Sequence, residues 1–191
     1  MPRPRTFDEA DVLARARDAF WVNGYTATSI SDLERATGLG RTSLYQAFGD
    51  KRALFDRVLT AYQDDGQASL ERIVAKASDL REAAAGLFAL SIDAARADRL
   101  RGEAARGCLI ANATCELAAV DVAVGRFVAG NRERFSDRLL PLAEGTPALR
   151  LPPRAAVDLV FAIYSGLNLL AKSGASVAEL DAAAAGGVAG L

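Results

Sequence analysis

The sequence predicts an all-α protein of two parts, a small N-terminal domain of three helices and a larger helical bundle. Three observations carry this. Apolar residues recur at helical spacing along nearly the whole chain, and alternating, strand-like stretches are nearly absent. Alanine, leucine and arginine, which lose little on entering a helix, are abundant. Glycine, proline and capping residues punctuate the pattern at short intervals near the N-terminus and at long ones beyond.

Taken in order, Thr6 stands three residues before Glu9, a capping-box spacing that opens a first helix. Val12, Ala16 and Phe20 then share one face, and Asn23-Gly24 closes the helix. Thr28 and Ser29 are N-cap candidates for a short second helix with Ile30, Leu33 and Ala36 as its apolar face. Thr37-Gly38-Leu39-Gly40 interrupts it, and a third short helix runs from Arg41 to about Phe48. Gly49-Asp50 stops that helix, and a fourth starts at Lys51 and continues toward residue 75, with Gly66 as a bend point. Long amphipathic helices follow near 79–98, 104–118, 121–142, 153–172 and 176–188. Leu140-Pro141 and Gly145-Thr146-Pro147 mark the longest loop, and the Ala/Gly-rich stretch 182–190 is expected to fray.

Composition narrows the function. The chain has 191 residues, a net charge of -1, two cysteines and no histidine. Residues 1–57 hold nine basic and eight acidic side chains, so net charge alone does not suggest nucleic acid. Without histidine the usual general base and the commonest metal ligand are missing, and no Gly-rich phosphate loop or convincing carboxylate pair replaces them. We therefore expect no enzyme, no cofactor and no metal site. The N-terminal residues lack an apolar core of a secretion signal. The longest uncharged apolar run, Leu159 to Ala171, is shorter than the roughly 18 residues of a membrane span. A cytoplasmic protein away from the membrane is expected.

The short helix, glycine turn and short helix of residues 29–48 form a helix-turn-helix pattern. Gly38 suits a turn that needs positive φ, and Leu33, Ala36, Leu39 and Leu44 let the two helices pack. Arg41, Thr42, Ser43, Tyr45 and Gln46 remain outward, residue types that read base edges or hold phosphates. The bland alternative is an αα-hairpin with a polar outer face, in which Tyr45 packs on its own core. Over residues 12–55 the order Phe20, Gly24, Tyr25, Thr28, Gly38, Leu44, Tyr45, Phe48, Lys51 and Leu54-Phe55 resembles the DNA-binding domain of the TetR family of transcriptional regulators.

That resemblance implies a helix-turn-helix DNA-binding domain over 1–52 and an effector-binding and dimerisation domain over 53–191, with the fourth helix as the link. It implies a homodimer that sets two recognition helices in successive major grooves of a palindromic operator, and repression relieved by a small-molecule effector. Arg41, Thr42, Ser43, Tyr45 and Gln46 would face the groove, and Thr28 and Lys51 would contact phosphates at helix N-termini. Three positions depart from the family pattern: Gly40 stands where a capping serine is frequent, Thr42 where glycine or proline is, and Ala47 where an aromatic is. Arg3 and Arg5 are either a basic arm on DNA or a solvated terminus.

In the second part, residues 153–172 are apolar on more than one face, which suits a helix covered by its own bundle and by a partner subunit. Cys108, Asn112 and Cys115 fall at i, i+4 and i+7, hence on one helical face, and either line a cavity or are ordinary buried side chains. A disulfide between the two is excluded if both are helical, because seven residues rise about 10.5 Å against a tolerance of about 7 Å. Phe88, Phe127, Phe161 and Tyr164 join Cys108, Asn112 and Cys115 as candidates to line a pocket for a small, largely apolar effector. The alternatives to an effector-released repressor are a thiol- or redox-responsive regulator of the same fold, and a helical protein-interaction module without DNA binding.

Overall fold

The computed structural model describes residues 7–191. They form α1 (Glu9–Asn23), α2 (Ile30–Thr37), α3 (Arg41–Phe48), α4 (Lys51–Val74), α5 (Leu80–Leu100), α6 (Leu109–Leu117), α7 (Val122–Gly145), α8 (Pro153–Lys172) and α9 (Val177–Ala189), with no strand among the described residues. The contacts divide the chain into two compact units, the first ending at Asp64 and the second starting at Asp65. The division falls inside α4, later than the 52/53 boundary expected from sequence.

The first unit explains that shift. Leu54, Phe55, Val58 and Leu59 of α4 are almost wholly buried. The Phe55 ring meets Phe20 edge-on at 5.0 Å and Tyr25 at 4.8 Å, and Tyr62 meets Trp21 at 4.9 Å. Burying a phenylalanine is worth about 1.5–3 kcal/mol, so the first turns of α4 belong to this core. α1 is capped by Asp8, whose carboxylate accepts from Ala10 N at 2.8 Å. The Thr6 cap and the Arg3/Arg5 arm lie outside the described residues, and Asp8 occupies the capping position itself.

In the second unit α8 packs against α5, α7 and α9, and α5 also packs against α9. Leu80, Leu87, Phe88, Leu139, Val157, Val160, Leu167 and Leu180 form the centre of its core. The loop expected at Leu140-Pro141 is helix instead: α7 runs through Pro141 to Gly145. Leu139 and Ala143 on either side are buried in the core, and that packing outweighs the roughly 3 kcal/mol that a helix-interior proline costs. Thr146 then ends α7 by donating to Leu142 O at 2.6 Å, while its hydroxyl accepts from Leu80 N at 2.8 Å to begin α5.

Gly66 produces no break in α4, and residues 182–189 are helical. Gly187 lies so close to Ile163 and Phe88 that a Cβ would sit 2.9 Å from the Ile163 side chain, so the small residues of α9 serve close helix packing. α8, with 20 residues and a window hydropathy of 1.4, is long and apolar enough by length and composition to cross a membrane, unlike the shorter run read from sequence. Its inward face, Ala156, Val157, Val160, Leu167 and Ala171, is that of a core helix.

Candidate nucleic-acid interface and effector region

α2 begins with a capping box. Ser29 Oγ accepts from Asp32 N at 3.2 Å, and the Asp32 carboxylate accepts from Ser29 N at 2.9 Å. The hydrogen bonds from Ser29 hold the Asp32 carboxyl below its ordinary value of 3.8. α2 ends where Gly38 adopts φ 73° and its N–H donates to Glu34 O at 2.9 Å. Only a residue without a Cβ adopts that left-handed turn at no cost. Thr37 braces the turn, donating to Leu33 O at 2.6 Å and accepting from Leu39 N at 3.3 Å.

α3 then starts without a side-chain cap from Gly40. Arg41 N donates instead to Glu34 Oε1 at 2.6 Å. Leu33, Leu44 and Phe48 are buried and form the seam between α2, α3 and the rest of the unit. Opposite the seam, Arg41, Thr42, Ser43, Tyr45 and Gln46 are all exposed. Tyr45 is 42% exposed, which decides against a ring packed into the core. The five side chains read from sequence thus share one open polar face.

The two residues expected on phosphates fare differently. Thr28 is fully buried, and its hydroxyl donates to Gly24 O at 2.6 Å. It ties the end of α1 to the start of α2, its hydroxyl is not presented to a phosphate, and the cap of α2 is Ser29. Lys51 is half-buried, its ammonium 4.5 Å from the centre of the Tyr25 ring and donating to Thr26 O at 3.4 Å. That position at the start of α4 holds a cation in the same small cleft as Tyr45.

In the second unit the effector candidates converge only in part: Phe161, Tyr164 and Cys108 come together, and Phe88 lies elsewhere. Cys108 is the N-cap of α6 in an extended conformation, because the helix starts at Leu109 and not near residue 104. The shared face of Cys108, Asn112 and Cys115 is therefore lost: Cys108 is half-buried, Cys115 is exposed, and Asn112 donates to Arg106 O at 3.3 Å. The delay has a local cause. Buried Asp98 accepts from Arg106 N at 3.1 Å and also pairs with the Arg101 and Arg106 side chains, holding residues 101–106 out of the helix.

Phe161 and Tyr164 of α8 gather around Phe135, at 5.1 and 6.0 Å between ring centres. Asn168 donates to Ser91 Oγ at 3.0 Å and to Tyr164 O at 2.8 Å, a buried polar cluster that the sequence reading missed. Burial, and then the nearby Cys108, pushes the Tyr164 phenol from 10.0 up to about 12. Phe88 instead lines an open groove of about 670 Å3 between α5 and α9, with Ile92, Ala184 and Val188 beside it and exposed Asp93, Arg96 and Asp181 around it. Phe127 lies half-buried on α7 and does not line that groove.

Comparison with known proteins bears on both units. The family profile described as bacterial regulatory proteins, tetR family, matches residues 12–58. An uncharacterized helix-turn-helix transcriptional regulator of Bacillus subtilis, YezE, is 33% identical over 138 residues, 72% of this chain and 69% of that protein. The transcriptional repressor BdcR of Escherichia coli is 30% identical over 187 residues, 96% of this chain and 88% of that protein. The structure of the TetR family regulator CifR, as a cysteine mutant complexed with double-strand operator DNA, superimposes with a TM-score of 0.78 at 26% identity, covering 98% of both chains.

Proposed function

Because this chain belongs to the TetR family and is a DNA-binding transcriptional regulator, we propose that it acts as a homodimeric repressor whose α3 helices read a palindromic operator. The observation that carries this reading is the face of Arg41, Thr42, Ser43, Tyr45 and Gln46, all exposed above a buried apolar seam. Such side chains present hydrogen-bonding groups to base edges and phosphates of a major groove. Lys51 adds a phosphate contact at the start of α4. CifR, similar over its whole length, was captured on operator DNA, which supports operator binding by this chain.

The dimer is supported by α8, on which Leu169 and Leu170 are 65% and 44% exposed on the side away from the core. An outward apolar face of this kind suits burial against a second copy of the chain. A small, largely apolar effector enters the second unit, either in the α5–α9 groove or beside the Tyr164–Asn168 cluster. α4 has residues in both units, so it carries the change between them. Two heads that share one face of DNA sit about 34–36 Å apart, and an effector that favours another spacing weakens binding by its differential affinity for the two states. The role places the protein in the cytoplasm and asks no catalysis of it. In a second, thiol-responsive version of the reading the stimulus acts on Cys108, which is half-buried next to the Tyr164 phenol.

The test is selection of a random-sequence duplex library by the purified protein at moderate salt. Enrichment of a palindrome that is lost in a folded Arg41→Ala/Tyr45→Ala variant supports the reading and identifies the operator. A folded dimer that enriches nothing overturns the effector-free repressor.

A further inference from the structure

We propose that Glu34 is the residue that positions the recognition helix, by capping α3 where Gly40 supplies no side chain. The inference rests on α3 being the helix that reads DNA. Four backbone N–H groups at the start of any α-helix lack partners within it, and a side-chain acceptor at the N-cap normally satisfies one. At Gly40 there is none. Glu34 provides the acceptor from the preceding helix, its Oε1 lying 2.6 Å from Arg41 N.

The same residue also closes α2, since its backbone carbonyl accepts from Gly38 N at 2.9 Å. One residue thus fixes both ends of the three-residue turn, and with it the angle at which α3 leaves α2. Its carboxylate sits at the positive end of the α3 dipole, where a negative charge is stabilised. A carboxylate there also takes a donor that would otherwise be open to a phosphate. The start of α3 is in consequence held for base reading, and anchoring to the backbone falls to other groups such as Lys51.

Gly40 makes a clean rescue possible. It has φ -68° and ψ 157°, values any residue adopts, and a Cβ built on it meets nothing within 4 Å. A serine there regains a local cap without strain. The experiment compares the wild type, Glu34→Gln, Glu34→Ala and Glu34→Ala/Gly40→Ser by amide exchange and by affinity for two duplexes, the one enriched from the random library and a scrambled duplex of equal composition. In Glu34→Ala, exchange at Arg41 N accelerates and affinity for the enriched duplex falls up to about fivefold per reading head, while the scrambled duplex is unaffected. Glu34→Gln, which keeps an acceptor, stays near wild type, and Gly40→Ser restores the enriched-duplex affinity of Glu34→Ala.

Unchanged exchange at Arg41 in Glu34→Ala overturns the proposal. So does equal tightening of both duplexes in Glu34→Ala and Glu34→Gln, which would make Glu34 only a repelling charge. If the wild type enriches no duplex, effector-free reading by α3 fails, and exchange at Arg41 still decides whether Glu34 caps the helix.

Discussion

In the first unit the polar side chains of α3 stand outside an apolar seam; in the second, Ser91, Asn168 and Tyr164 carry theirs inside one. The difference sets what a substitution reads. An exposed polar group on α3 contributes little to folding, because it exchanges one set of water contacts for another. A buried donor or acceptor in the Asn168 cluster has only its protein partners, so removing one leaves the other unsatisfied. Under the proposed function, DNA reading and stability are therefore separable in the first unit, and effector binding and stability are coupled in the second.

The largest effect tests whether the first unit depends on its rings and not on its polar face. Phe55→Ala removes the ring that meets both Phe20 and Tyr25 and should cost about 3–5 kcal/mol in urea unfolding. Arg41→Ala/Tyr45→Ala, by contrast, should leave the unfolding midpoint in place. Next comes Asn168→Ala, expected to cost about 1–3 kcal/mol by orphaning the Ser91 and Tyr164 contacts. A neutral result there would erase the contrast between the units.

Titration probes the buried cluster by a different route. The Tyr164 phenol has a raised value of about 12 against 10.0, so its neutral form is favoured by folding. That contribution is complete below pH 10 and is lost as the pH rises from 10 toward 12. Tyr164→Phe should flatten this alkaline limb in pH-dependent thermal unfolding. The smallest effect belongs to α2, where Ser29→Ala should cost about 1 kcal/mol at neutral pH. Because Ser29 lowers the Asp32 carboxyl below 3.8, the gap between variant and wild type should be full above that pH and narrow as acid protonates Asp32, the Ser29 cap on Asp32 N remaining.

The same contrast accounts for what the sequence disclosed. Gly38, Leu44 and the five outward residues of α3 lie within a few turns of one another, and local periodicity with turn chemistry places them together. The Thr28 assignment failed because the hydroxyl has a nearer acceptor in Gly24 O, a contact across the end of α1 that spacing does not reveal. Glu34 was discoverable: an uncapped Gly40 poses the question of which acceptor serves α3, and Glu34 is the carboxylate four residues before the turn glycine. Ser91 and Asn168 are 77 positions apart, and no periodicity in either helix forecasts their bond. Cys108 misled because the helical register was extended back through residues that Asp98 holds in a loop.

That loop contains two glycines with nearly the same φ, Gly102 at 74° and Gly107 at 69°. Around Gly102 there is open space, whereas a Cβ on Gly107 would lie 2.9 Å from the Asn168 carbonyl of α8. In a saturation library the two positions should therefore diverge. Asparagine or aspartate, which tolerate the left-handed region, would survive at 102, and every replacement at 107 would be purged. Lineages of this chain should thus find a narrow latitude at one end of a single loop and none at the other.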